Sequence, residues 1–325
     1  MAKTAASPAA KTVASPSPQA AAPNFGSWRP SRAIEFNVQA GAGGGSDLLA
    51  RTVKDTLERE NMIDVPITVV NRPGGNGAIS YGHTISKRGD PHTWQTSTDS
   101  MLIAPLRGEA DYDYKNMTPF ATIAIDDFFL VTASNSRFNT VQDVVNAAKA
   151  QPGTLTVGGV GAGSTDNLLT GMFEQKAGVT FSFVPFNGQG EMLSSLLGGH
   201  VQLGWSNPGE ALEQVRAGRV KILGVASDQR IAQEPNVPTL KEQGVDMTFV
   251  FRRTILGPGG LAPEVVHYYE ALFQQMTSTE YWQTNYIEKN FLTPAYLNSA
   301  QTAQALDRRN EEFRQLLDSL GFLGR

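Results

Sequence analysis

The sequence predicts a two-lobed α/β protein, and three observations carry the prediction. Strand-like and helix-like segments alternate along most of the chain, the pattern of α/β units with mainly parallel sheets. A strand running through glycines into a capped helix start occurs twice, near residues 40 and 160. Two long apolar strand candidates, 121–132 and 247–256, are placed to cross between two units.

The first strand spans 34–39, with Ile34, Phe36 and Val38 at period two. A run of glycines follows, then Ser46 and Asp47 as capping residues. Leu49, Val53 and Leu57 mark one face of a helix over 47–60. A strand at 67–71, a helix at 77–86 and a strand at 94–97 come next. The stretch 121–132 reads as one long strand, interrupted only by Asp126 and Asp127, which fit a turn pair near a hinge. A helix at 141–150 leads to a strand at 155–160, the second glycine loop and a helix at 166–177 with Leu168, Leu169, Met172 and Phe173 on its apolar face. Strands at 180–185, 201–205 and 221–226 alternate with helices at 189–197, 209–217 and 239–243. After the crossover at 247–256, helices at 263–277, 278–290 and 299–320 make the last 60 or so residues read as helical throughout.

With both crossovers linking the lobes, lobe 1 comprises 32–128 plus 250–325, and lobe 2 comprises 129–249. Residues 1–31 form an Ala/Pro-rich leader, read as disordered. It lacks the apolar stretch of an intact signal peptide. No segment reaches the ~18 apolar residues of a membrane span.

Composition narrows the function. The 325 residues carry a net charge of −4 with no basic run, which argues against nucleic acid as a partner. There are no cysteines, so disulfides, thiolate metal sites and cysteine nucleophiles are all excluded. That absence also suits an exported bacterial protein.

Each glycine loop is a potential anion site. Glycines let the backbone approach a ligand, and unpaired N–H groups and the helix dipole point toward it. Catalytic and cofactor alternatives fail. Ser46 and Ser164 stand where a dinucleotide fingerprint needs its third glycine, no Gly-Lys-Ser/Thr follows either loop, and neither serine lies in G-x-S-x-G. His83, His92, His200 and His267 are dispersed without metal-ligand spacing. The expectation is a binding protein without cofactor or metal, not an enzyme.

Eight motifs in order then give a specific resemblance. They include Ala-Gly-Gly-Gly-Ser-Asp-Leu-Leu-Ala-Arg (42–51), Val-Val-Asn-Arg-Pro-Gly-Gly-Asn-Gly (69–77) and Gly-Val-Gly-Ala-Gly-Ser-Thr-Asp-Asn (159–167). The others are Val-Pro-Phe-Asn-Gly-Gln-Gly-Glu (184–191), Leu-Leu-Gly-Gly-His-Val-Gln-Leu (196–203), the run 215–227, the run 237–244 and Leu-Gly-Pro-Gly-Gly-Leu-Ala-Pro (256–263). The chain resembles the Bug-type, or tripartite tricarboxylate transporter, extracytoplasmic solute-binding proteins over all but the leader. The resemblance implies a type II periplasmic-binding-protein fold with hinge crossovers and a helical C-terminal segment. It implies a periplasmic monomer that captures an organic carboxylate and delivers it to two integral-membrane transporter subunits.

In such a protein the two loops form a pincer on one carboxylate. By position, Ala42, Gly43, Gly44, Gly45, Ser46 and Asp47 form one jaw. Gly161, Ala162, Gly163, Ser164 and Thr165 form the other, with Asn167 nearby. Asp47 is favoured as a helix cap over a ligand contact. Phe186-Asn187 replaces the Tyr-Lys of many relatives. Trp205, Ser206 and Phe186 are candidate cleft residues, and so are Arg252 and Arg253, of which at most one faces the cleft because strand residues alternate. An Arg there would fork onto a second carboxylate. The expected ligand is therefore a dicarboxylate, aromatic acids of the phthalate type included. A carboxylate-sensing co-receptor for a signalling kinase is the alternative role.

Overall fold

The computed structural model describes residues 25–161, 164–231 and 234–324. Two mixed sheets divide the chain. Strands β1 (Ile34–Val38), β2 (Ile67–Asn71) and β3 (Thr93–Thr96) pair in parallel in the first sheet, with β1 between the other two. Helices α1 (Gly45–Arg59) and α2 (Ala78–Ser86) follow β1 and β2. Helix α3 (Ser100–Leu106) follows β3. It carries no sequence signal beyond its short apolar run, and Pro105 lies inside it.

The expected long strand at 121–132 is two strands. β4 (Met117–Asp126) belongs to the first sheet and β5 (Phe129–Ala133) to the second. The chain changes sheets at Asp127 and Phe128. Asp126 is held there by Arg253, and Asp127 Oδ2 accepts from Thr293 Oγ1 at 2.9 Å. Two buried carboxylates with partners on other strands thus fix the crossover.

The second sheet repeats the pattern. Helix α4 (Val141–Ala150) precedes β6 (Thr156–Val160), which pairs in parallel with β7 (Ser182–Phe186) and β8 (Leu203–Ser206). Helices α5 (Thr165–Ala177), α6 (Gln189–Leu197) and α7 (Pro208–Arg216) connect them and lead to β9 (Val220–Val225). β5 lies antiparallel between β8 and β9.

The chain returns through β10 (Phe251–Pro258), antiparallel between β3 and β4. Helix α8 (Pro263–Thr277) comes next, then a short α9 (Glu280–Trp282) that runs on as a π-helical stretch, Gln283–Glu288. Strand β11 (Thr293–Leu297) then adds to the edge of β4, and α10 (Ser299–Ser319) closes the chain. The C-terminal segment is therefore helical except for β11. Segment 239–243 is not a helix. Thr239 and Glu242 form reciprocal capping bonds, but Gly244, in the left-handed region at φ 88°, stops the chain from continuing.

Both sheets are less parallel than expected. The strands at the crossovers, β4 and β10 in one sheet and β5 in the other, bring antiparallel pairings. Most of the leader lies outside the described residues. Its last few residues pack: the Trp28 ring sits 5.3 Å from Tyr268 and 5.4 Å from Tyr269 on α8. No helix among the described residues is long and apolar enough to cross a membrane.

Candidate functional site

The loops after β1 and β6 occupy equivalent places, each at the carboxyl end of a strand flanked by two parallel neighbours. That is where open α/β sheets bind ligands.

In the first loop, Gly43 adopts φ 84°, a conformation that favours glycine. Asp47 staples the loop from beneath. Its Oδ2 accepts from the Gly43 N–H at 2.9 Å and from Arg51 Nε at 2.8 Å, while Oδ1 accepts from Asn71 Nδ2 at 3.0 Å. Burial acts to raise this carboxyl, but the bonds from Arg51, Gly43 and Asn71 outweigh it and hold it below its ordinary value. Asn71, in the Asn-Arg-Pro-Gly-Gly motif, thus anchors Asp47 from the neighbouring strand. Gln39 Nε2 donates to Ser46 Oγ at 2.8 Å, so Ser46 is also held below the loop. The cap residue, Gly44, places no side chain on the first-turn N–H groups.

The second loop is built alike but balanced differently. Gly161, at φ 75°, donates its N–H to the Phe186 carbonyl at 2.9 Å. Ser164 caps α5, accepting from the Asn167 N–H across a long 3.5 Å. Asp166 takes the place of Asp47 and accepts from the Val160 N–H at 2.7 Å. With that bond to oppose burial and Glu210 adding repulsion, burial wins and pushes the carboxyl up to about 7.

That shift has a measurable consequence. From pH 4 to 7 the folded protein holds a proton on Asp166 that the unfolded chain has lost. Stability from this group is complete below pH 4 and falls by about 1.4 kcal/mol per pH unit through the window. Asp166→Asn is expected to gain on the wild type between pH 5 and pH 8 in denaturant titrations. A difference independent of pH would contradict the assignment.

Each loop faces residues of the other lobe across a small cavity. The first, of about 100 Å³, is lined by Gly43, Gly44 and Gly45 on one side and by Asn207, Gly209 and Glu210 on the other. Arg253, Asp126, Tyr286 and Asn290 complete it. The second, of about 160 Å³, sets Gly161, Ser164 and Thr165 against Asn76, Thr98, Ser100 and Glu109.

Arg253 dominates the first cavity. It is 8% exposed, hydrogen-bonded to Asp126, and packed so close to the loop that a Cβ on Gly45 would meet Nη2 at 3.0 Å. Burial pushes the Asp126 carboxyl up, and the Arg253 guanidinium opposes the shift. Glu210 is exposed at the cleft, but protein lies close around its carboxyl. Desolvation by these neighbours and the Asp126 charge push it up to about 7, against the Arg253 guanidinium.

A profile of the family described as tripartite tricarboxylate transporter family receptor matches residues 49–322. The chain belongs to this family of receptors. A relative from Cupriavidus necator, described as the UPF0065 protein in the gbd 5′ region, is 30% identical over 98% of this chain and 95% of its own. A TctC solute-binding protein from Polaromonas, solved without ligand, superposes with a TM-score of 0.76 at 28% identity, covering 89% of this chain and 99% of that one. An R. palustris protein solved with adipate shares the fold, with a TM-score of 0.81 at 22% identity over 91% and 99% of the two chains.

The expected site residues that the structure describes fall into three groups. Gly43, Gly44, Gly45 and Arg253 line the first cavity, and Gly161, Ser164 and Thr165 the second. Ser46 and Asp47 lie buried beneath the first loop, Ala42 is exposed at its tip, and Asn167 is half-buried behind Ser164. Ala162 and Gly163 lie outside the described residues. The remaining five are placed away from both cavities. Trp205 is a core residue, donating Nε1–H to Thr170 Oγ1 at 3.0 Å. Ser206 is buried beside it, and Phe186 is half-buried beneath β6, facing Gly158. Asn187 is exposed and donates to Glu191. Arg252 points to the opposite face of β10 from Arg253, as strand alternation requires.

Residues missing from the sequence reading are Asn207, Glu210, Tyr286 and Asn290. The first two had a signal: Ser-Asn-Pro-Gly-Glu (206–210) is a third strand end leading into a helix start. The other two come from the π-helical stretch and its end, which no periodicity announces.

Proposed function

We propose that this receptor captures an organic carboxylate in the cleft between its lobes and delivers it, in the periplasm, to the two membrane subunits of a tripartite tricarboxylate-type transporter. The observation that carries this is the placement of Arg253. A buried guanidinium lies directly against an uncapped helix start built of glycines, which sets cationic N–H donors beside a dipole already favouring an anion, with Asp126 balancing part of the charge. The partner loop supplies a second helix start across the cleft.

The ligand is proposed to be a dicarboxylate, in keeping with two cavities that each end at a glycine loop and with adipate in a protein of the same fold. The arginine's role changes from the sequence expectation. Arg253 reinforces the first loop and is shared with Asp126, rather than clamping a distal carboxylate alone. Glu210 sits opposite. Neutral below about pH 7, it can donate to a ligand carboxylate; ionised above, it repels one.

A thermal-shift screen on ligand-stripped protein tests this, since a ligand of the folded state must raise the melting temperature. Linear and aromatic dicarboxylates are compared with their monocarboxylate analogues at pH 6 and pH 8. The expected result is a shift for one dicarboxylate class, absent for its monocarboxylate, with affinity roughly threefold to tenfold weaker at pH 8. Equal binding of the monocarboxylate removes the dicarboxylate assignment. No shift with any carboxylate removes the carboxylate assignment.

A further inference from the structure

A groove of about 490 Å³ lies on the Arg252 side of β10, away from the glycine loops. Lobe 2 contributes Met172, Gln175 and Lys176 from α5, lobe 1 contributes α10, and the returning crossover supplies Thr248, Val250 and Arg252. Among the described residues, four cations, Lys176, Arg252, Arg308 and Arg309, line it against one carboxylate, Glu312.

Its floor is the unusual part. Arg309 is 7% exposed, with its guanidinium 3.8 Å from the Phe249 ring centroid and 4.4 Å from that of Phe313. The two rings fix its plane. Nη1 donates to Glu312 Oε2 at 3.1 Å and Nη2 forms a long ion pair with the buried Asp99 Oδ2 at 3.5 Å, but Nε and Nη2 lack a well-formed hydrogen bond among the described residues. Arg252 Nε is likewise buried and unbonded. Burial and the neighbouring Arg309 and Arg308 charges act against the Arg252 charge, and together they outweigh the support of Asp99 and Glu312. Unbonded buried donors on adjacent like charges are costly unless an anion completes them.

We propose that this groove is a second anion site, for a small multivalent oxyanion, a polycarboxylate or a phosphate, separate from the cleft. Its volume falls within the range of small-molecule sites. Planar guanidinium groups presenting several donors suit such oxygens. Because both lobes and a crossover form its walls, its occupant is coupled to the hinge and hence to the cleft.

The test is calorimetric titration of the whole chain with pyrophosphate and, separately, with citrate. The groove variant is Lys176→Gln with Arg308→Gln, both exposed positions that the fold tolerates. A cleft variant, Gly45→Val, is the control. The expected result is saturable binding of at least one probe below about 1 mM, weakened roughly tenfold or more by the groove variant and unchanged by the cleft variant. Which probe binds identifies the source as phosphate or polycarboxylate. Binding kept in the groove variant would overturn the proposal whatever the cleft variant does, and its loss in Gly45→Val would then assign the anion to the cleft. So would the absence of saturable binding by either probe, including a groove that answers only to an acidic polypeptide.

Discussion

Arg253→Met is expected to destabilise the receptor by about 3–5 kcal/mol, the typical effect of removing one partner of a buried ion pair. The pair joins Asp126, the last residue of β4, to β10, so it ties together the two strands through which the chain leaves and re-enters the first sheet. Asp126 is 1% exposed, and its Oδ1 already has no hydrogen-bond partner among the described residues. Without Arg253 it must either stay charged in an apolar setting or take up a proton. The double variant Arg253→Met with Asp126→Leu removes both charges and is expected to recover most of the loss. Equilibrium denaturation of the two variants and the wild type checks this. A double variant no more stable than the single one would show that the pair matters for something other than its buried charges.

Gly45→Val is expected to cost about 1–3 kcal/mol of stability, the usual range for overpacking, and to weaken ligand binding by roughly a hundredfold or more. Gly45 opens α1 with no need for a left-handed backbone, so a side chain can be built there without strain. What it meets is the Arg253 guanidinium, at 3.0 to 3.5 Å from the Cβ. That guanidinium is held by Asp126 and cannot simply swing away. Valine would therefore occupy part of a cavity of only about 100 Å³ and push the cation from the helix start. Unchanged affinity, with the variant folded, would mean that the first loop does not touch the ligand.

The frame of this protein was legible because each piece has a local cause. Ile34, Phe36 and Val38 alternate, Leu49, Val53 and Leu57 recur at helical spacing, and the glycine runs between them can only be loops. Those patterns place both glycine loops at strand ends in the structure. The apolar run across Asp126 and Asp127 was misread as one strand because periodicity registers a strand, not the sheet it joins. The partners that make the break, Arg253 and Thr293, lie more than a hundred residues further on. The same limit applies to the site. Strand alternation puts Arg252 and Arg253 on opposite faces, but only the fold shows which one lies under the loop. Trp205 illustrates the converse: an aromatic residue at a strand's end gives no clue to which layer it will join, and here it joins the core. Glu210 was overlooked because an acidic residue at a helix start reads as an ordinary favourable charge. The neighbours that fold around its carboxyl and push it up, Asp126 among them, are brought there by tertiary structure.

The central claim is that a carboxylate binds between the glycine loops. The most direct measurement is calorimetric titration of the best carboxylate from the screen into ligand-stripped wild type and into Gly45→Val, at pH 6. The structure predicts one cleft site per chain in the wild type and the loss of that site in the folded variant. Equal binding by both proteins would place the ligand elsewhere and leave the loops as ordinary helix starts.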